Sequence, residues 1–132
     1  AVNLFLRMYA VVVLAGLVVL AVTGQKYTTK YDGVDIDNIL HNDRLLNNYF
    51  NCIMDKGKCS PDGQELKKNL PEALENDCAK CSEKQKAAGD KVLRFLYEKK
   101  PEMFQQLEAK FDPDGKYRVK YTNKAAKKGV KL

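Results

Sequence analysis

The sequence predicts an all-helical fold, and three observations support this class. Beyond residue 35, apolar residues recur at spacings of three and four, which is the periodicity of one face of a helix. No convincing run of alternating apolar and polar residues indicates a β-strand after residue 24. Ser60-Pro61-Asp62 is typical of a helix start, because serine caps free amides, proline fits the first helical position and aspartate suits the positive helix end.

The amino-terminal segment has the pattern of a signal peptide. Arg7 precedes an apolar run over residues 8–22, and small residues then lead into a polar stretch that begins at Gln25. The apolar run is about 15 residues long, shorter than the roughly 20 that a membrane helix needs. We therefore assign 1–24 to a signal peptide and 25–132 to one helical domain, and we expect a secreted protein without stable membrane insertion after cleavage.

Two segments of the helical domain carry clear boundary signals. Asn42 and Asp43 are both good N-cap residues, so we expect a helix to begin there and to be closed by Gly57. Pro71 lies within the next periodic stretch and removes one backbone donor. A kink or a break into two short helices is therefore expected near Asn69.

The second half of the chain predicts three more helices. A long helix is expected over residues 80–99, and Pro101 stops it and opens the next one. A short last helix is expected around Tyr117 and Tyr121, before a lysine-rich tail. The apolar residues that mark the helices along the chain are Ile36, Ile39 and Leu40; Leu45, Leu46, Tyr49, Phe50 and Ile53; Leu66, Leu70 and Leu74; Val92, Leu93 and Leu96; and Met103, Phe104, Leu107 and Phe111.

The net charge of +6 does not indicate a nucleic-acid site. The basic residues are dispersed among acidic neighbours until the carboxy-terminal tail, which is the pattern of a solvated surface. Secretion also argues against a nucleic-acid partner. A basic tail can be attracted to anionic membranes, so surface activity at membranes stays open as an alternative function.

Four cysteines, Cys52, Cys59, Cys78 and Cys81, are expected to form disulfides in an oxidising compartment. Three pairings are possible, and the short gaps within the first two and within the last two cysteines favour pairing between sequence neighbours. Tetrahedral zinc is the first alternative, but the opening C-x6-C is wider than the usual metal knuckle. Thiol redox chemistry is the second, but no βαβ unit surrounds the closing C-x2-C.

No set of residues in the sequence has the pattern of a catalytic site, so we expect no enzymatic activity, cofactor or metal. His41 is the single histidine and stands in a short polar stretch without an obvious partner. The stretch 112–115 contains two aspartates, but the rest of a calcium-loop pattern is absent.

The apolar side chains are the remaining candidate for a functional feature. Tyr49 illustrates their two possible roles, packing in the core and contact with a ligand. This tyrosine shares the apolar stripe of its helix with Phe50 and Ile53. A buried phenol must find a hydrogen-bond partner, either within the core or in the polar head group of a ligand. The residues alone favour the core role.

The cysteine spacing C-x6-C-x18-C-x2-C is accompanied by longer motifs that cover nearly the whole chain after residue 24 in register. In this combination the chain resembles the insect chemosensory proteins, also called the olfactory segment D family. The motifs are Lys26-Tyr27-Thr28-Thr29-Lys30-Tyr31-Asp32, Asn51-Cys52 with Gly57-Lys58-Cys59-Ser60-Pro61-Asp62-Gly63, Cys78-Ala79-Lys80-Cys81-Ser82-Glu83-Lys84-Gln85, and parts of Lys110-Phe111-Asp112-Pro113-Asp114-Gly115 with Tyr121.

The resemblance implies five or six helices around an internal hydrophobic channel, with bridges from Cys52 to Cys59 and from Cys78 to Cys81. It implies a monomeric carrier of small hydrophobic ligands, such as long-chain alcohols, aldehydes, fatty acids or esters, and leaves any chemoreceptor partner unknown. Motif positions and helical phase predict the ligand-lining residues as Tyr49, Leu66, Val92, Leu96, Phe104, Leu107 and Tyr121.

The absence of tryptophan is one departure from many relatives, which carry one at the position of Phe104 or near Tyr117. Phenylalanine keeps an aromatic wall but loses the indole donor and some volume, so ligand preference need not follow those relatives. A structural or developmental interaction protein stays open as a further alternative function.

Overall fold

A computed structural model describes residues 25–127 and residue 129. The predicted signal peptide, residues 1–24, lies outside the described part. Among the described residues, no helix is long and apolar enough to cross a membrane. Six helices run through residues 25–127, which confirms the all-helical class: α1 (Ile36–Leu40), α2 (Asp43–Ile53), α3 (Pro61–Glu75), α4 (Glu83–Lys99), α5 (Pro101–Phe111) and α6 (Lys116–Lys127).

Side-chain caps fix where the three central helices begin. The Asn42 side chain accepts a hydrogen bond from the Leu45 amide at the start of α2. The Ser60 hydroxyl accepts one from the Gly63 amide at the start of α3. At the start of α4, Ser82 and Gln85 form a reciprocal capping box.

Three boundary predictions need correction. The end expected at Gly57 is wrong, because α2 ends at Ile53. Of the kink or break expected near Asn69, the break is wrong, because α3 continues through Pro71 as one helix to Glu75, and the kink stays a prediction. Pro71 is exposed, so water can hydrate the carbonyl that the missing amide leaves without a helical partner. The start expected at residue 80 is also wrong, because the capping box places the first turn of α4 after Ser82.

The helices pack around a small buried cluster formed by Leu40, Leu46 and Leu96. Helix α1 packs against α2 and α4, α2 packs against α3, and α4 packs against α5. Partly buried apolar side chains surround the cluster, namely Ile36, Ile39, Val92, Phe95, Met103, Phe104 and Leu107. The cluster is small for a chain of this length, and the space beside it is not filled by protein.

Both disulfides have the predicted sequence-local pairing. Cys52 is bonded to Cys59, seven residues away, and Cys78 to Cys81, three residues away. The two bridges use all four cysteines, so none is free as a thiolate ligand for zinc.

An ion-pair clamp fastens the first disulfide loop to α3 and α5. Asp55 has a φ of +60°, and its carboxylate pairs with the Lys67 ammonium and, at 2.7 Å, with the Lys110 ammonium. The Lys110 ammonium also donates to the Ile53 carbonyl at 2.7 Å. Hydrogen bonds from Lys110 and Lys67 lower the pKa of Asp55 to about 2, so this clamp stays ionised in all but strongly acidic solution.

Candidate functional site

An apolar chamber of about 540 Å3 lies beside the buried cluster, between the helices. All six helices contribute side chains to its wall, and so does the segment before α1. Helices α1 to α5 turn apolar stripes towards the chamber, because the residues at spacings of three and four share one face, whereas the aromatic side chains that α6 contributes are Tyr117 and Tyr121. The amphipathic pattern therefore builds the wall as well as the core.

All seven side chains predicted as ligand-lining residues are part of the chamber wall. They do not occupy equivalent places in it. Leu96 is only 4% exposed and belongs to the buried cluster, whereas Leu66 is 45% exposed and lies at an edge of the chamber. Phe104 makes an edge-to-face contact with Tyr97, with ring centroids 5.4 Å apart. Contact between these side chains and a ligand is a prediction.

The Tyr49 hydroxyl donates a hydrogen bond to the Asp62 carboxylate in the first turn of α3. Burial and the neighbouring Asp62 carboxylate raise the pKa of Tyr49. Burial acts to raise the pKa of Asp62, but hydrogen bonds with Ser60 and Tyr49 outweigh it, so the pKa of Asp62 is lowered. The phenol therefore keeps its proton and directs it to Asp62.

Gly63 allows α3 to approach Tyr49 this closely. A Cβ atom at this position would lie 3.1 Å from the Ser60 hydroxyl oxygen, 3.3 Å from the Cys52 sulfur and 3.6 Å from the Tyr49 ring. Because glycine lacks that atom, the first disulfide and the Tyr49 ring can pack directly against the helix backbone. The start of α3 thus positions Tyr49, through the close approach at Gly63 and the hydrogen bond to Asp62.

The Tyr121 hydroxyl also has a protein partner. It donates to the Asp90 carbonyl in α4 at 3.2 Å and so attaches α6 to the bundle. Burial, with a contribution from the Asp90 carboxylate, raises the pKa of Tyr121.

Asp112 caps α6, since its carboxylate accepts hydrogen bonds from the Tyr117 and Arg118 amides at 3.0 and 2.8 Å. Helix α6 is longer than the short helix predicted there.

Sequence reasoning missed Tyr27, which lines the chamber from the segment before α1. Its hydroxyl is buried and finds no hydrogen-bond partner within the part of the chain that the structure describes. Tyr31, in the same segment, is another wall residue that was missed. Both tyrosines stand in a motif that carried the family resemblance, but no helical periodicity indicated which way their side chains point.

The remaining polar features are structural. His41 is exposed, its Nδ1 lies 2.8 Å from the Asp37 carbonyl oxygen, and its ring contacts the edge of Phe95. Within the described ranges, no group of three His, Cys, Asp or Glu side chains is arranged to hold a metal ion. Among the described residues, the arrangement can enclose an apolar molecule.

Comparisons with known proteins agree with this architecture. The chain is 51% identical to ejaculatory bulb-specific protein 3 of Drosophila melanogaster over 127 residues, which cover 96% of this chain and 100% of that protein. It is 45% identical to putative odorant-binding protein A10 of Drosophila melanogaster over 103 residues, covering 78% of this chain and 66% of that protein.

Solved structures share the fold. A chemosensory protein in complex with bromo-dodecanol is 47% identical and has a TM-score of 0.72, with 75% of this chain and 99% of that chain covered. Antennal chemosensory protein A6 from the moth Mamestra brassicae is 43% identical and has a TM-score of 0.64, with coverages of 75% and 97%. The model of the insect pheromone-binding family A10/OS-D matches residues 27–119, and the chain belongs to that family.

Proposed function

We propose that this protein is a secreted carrier that binds one long-chain hydrophobic ligand in the chamber between its helices. The apolar chamber of about 540 Å3 is the observation that carries this proposal. Small-molecule sites usually have volumes of roughly 300 to 1,000 Å3 and apolar walls with a few polar groups. The bromo-dodecanol bound to a similar chemosensory protein supports a ligand with an alkyl chain.

The proposed ligands are long-chain alcohols, aldehydes, fatty acids and esters. Burial of the alkyl chain would supply most of the affinity, and polar wall groups would orient the head group. Secretion is part of the proposal and depends on the signal-peptide pattern of residues 1–24. The side chains proposed to contact the ligand are Tyr49, Leu66, Val92, Leu96, Phe104, Leu107 and Tyr121.

Displacement of a fluorescent probe tests the carrier function directly. The full chain is expressed in insect cells, and N-phenyl-1-naphthylamine bound to the purified protein is titrated with 1-dodecanol. We expect saturable displacement with a dissociation constant on the order of micromolar, because ordering costs offset much of the gain from burial. Sedimentation with anionic vesicles at moderate salt is the parallel measurement. Vesicle binding without displacement of the probe would favour the membrane-surface function and reject the carrier.

Replacement of Tyr49 by phenylalanine is expected to change both stability and ligand preference. The substitution keeps the ring and removes the donor to Asp62, so the free energy of unfolding should fall by about 1 kcal/mol. The Tyr49 oxygen can also accept a hydrogen bond from a ligand hydroxyl. We therefore expect Tyr49→Phe to weaken the binding of 1-dodecanol by about 0.5 to 1.5 kcal/mol and to weaken the binding of dodecane much less.

Circular dichroism melts must accompany these titrations, because they separate the two effects. An unchanged ratio of alcohol to alkane affinity, together with a lower melting temperature, would assign Tyr49 to the core alone. Phe104 and Tyr121 would then be the aromatic wall positions to test next.

A further inference from the structure

Two tyrosines of the chamber wall donate hydrogen bonds to protein groups through their hydroxyls, and Tyr27 differs from them. The hydroxyls of Tyr49 and Tyr121 donate to Asp62 and to the Asp90 carbonyl. Tyr27 lines the chamber, and its hydroxyl is buried and has no partner among the described residues. A buried donor without a partner costs free energy, so such groups are rare unless ordered water, a bound molecule or an ion satisfies them.

The segment that carries Tyr27 is held in place by hydrogen bonds. The Tyr27 amide donates to the Lys80 carbonyl, inside the Cys78–Cys81 loop, at 2.9 Å. The Gln85 side chain donates to the Thr28 carbonyl at 2.8 Å and to the Asp32 carboxylate at 2.9 Å. These bonds link the segment to the second disulfide loop and to the capping box of α4.

The Asp32 carboxylate also accepts a hydrogen bond from the Ser82 hydroxyl at 2.8 Å. The backbone around Tyr27 is therefore anchored at two places, while the described residues offer its hydroxyl no hydrogen bond. Displacement of this segment into solvent would satisfy the hydroxyl but would break those bonds. A rotation of the Tyr27 side chain towards the chamber would let a ligand oxygen satisfy the hydroxyl without that loss.

We propose that the Tyr27 hydroxyl donates a hydrogen bond to the carbonyl oxygen of the ligand and so gives the carrier a preference for long-chain ketones, aldehydes or esters. The inference rests on the proposed carrier function and names the head group that the chamber selects. A carbonyl oxygen accepts the phenol proton and brings no donor of its own, so it does not need the second partner, such as the Tyr49 oxygen, that an alcohol hydroxyl would need. A neutral head group also avoids the cost of burying a charge.

The test compares tridecan-2-one with tridecane, which has the same number of carbons and no oxygen. Each compound displaces N-phenyl-1-naphthylamine from the wild-type protein, from Tyr27→Phe and from Tyr97→Phe. We expect Tyr27→Phe to raise the dissociation constant of the ketone about three- to tenfold and to leave that of tridecane nearly unchanged. Tyr97 also lines the chamber but is more than a third exposed, so water can satisfy its hydroxyl, and Tyr97→Phe should preserve the ketone-to-alkane ratio.

Thermal melts of the ligand-free proteins provide a second readout. Removal of an unsatisfied buried hydroxyl should leave the melting temperature of Tyr27→Phe unchanged or raise it, in contrast to Tyr49→Phe. A fall as large as that of Tyr49→Phe would show that the hydroxyl has a partner within the protein and would overturn the inference. An unchanged ketone-to-alkane ratio in Tyr27→Phe would also overturn it. A wild-type protein that binds neither compound would instead reject the carrier function itself.

Discussion

Lengthening a primary alcohol from eight to twelve carbons should tighten its binding by about two orders of magnitude. Each buried methylene contributes about 0.8 kcal/mol, so four of them add about 3 kcal/mol when the chain stays inside the chamber. The gain should level off once the volume of about 540 Å3 is filled. Displacement of N-phenyl-1-naphthylamine by the alcohol series, at free concentrations below the solubility of each member, measures the slope.

The alcohol series keeps the head group constant, so the slope reports only the alkyl chain. A matched series of methyl ketones serves as the control. It should show the same gain in affinity per added methylene, although the affinity at a given chain length should differ from that of the alcohol. Dissociation constants that do not depend on chain length between eight and sixteen carbons would reject the chamber as the binding site, even if probe displacement were saturable.

Truncation of Leu46 to alanine should destabilise the fold more than Tyr49→Phe or Tyr27→Phe. Leu46 is 5% exposed and forms the buried cluster with Leu40 and Leu96. Loss of a buried leucine side chain costs about 2 to 5 kcal/mol, through lost burial and the space left behind. Urea unfolding followed by circular dichroism measures the change.

Val119→Ala is the matched control for that measurement. Val119 is 61% exposed, so its truncation should change the free energy of unfolding by less than about 0.5 kcal/mol. Similar losses for the two variants would mean that the three-leucine cluster does not hold the helices together. The chamber wall would then have to be stabilised mainly by the surrounding, partly buried residues.

The sequence was informative where a local pattern decides the structure. The apolar stripe containing Tyr49, Phe50 and Ile53 sufficed to predict the inner face of α2, because helical phase is a local property. The disulfide pairing could also be predicted, since both bridges join near neighbours. The break expected near Asn69 did not occur, because the loss of the one amide at Pro71 does not end α3 where the residue faces solvent.

Long-range hydrogen bonds explain what the sequence could not predict. The position of Tyr27 depends on the Lys80 carbonyl and on the Gln85 side chain, both more than fifty residues further along the chain. The partner of the Tyr49 hydroxyl is Asp62, for which the local pattern indicated only a helix start. No periodicity within a segment reveals which distant groups satisfy its polar atoms.

The local character of the two disulfides affects how the protein can deform. The first joins the end of α2 to the following loop, and the second closes a turn between α3 and α4, so neither bridge spans the chamber. The spacing between facing helices is set by side-chain packing and by surface pairs such as Lys91 with Asp37 and Lys100 with Asp43. Facing helices can therefore separate without straining a covalent cross-link, so the two bridges do not fix the volume available to a guest molecule.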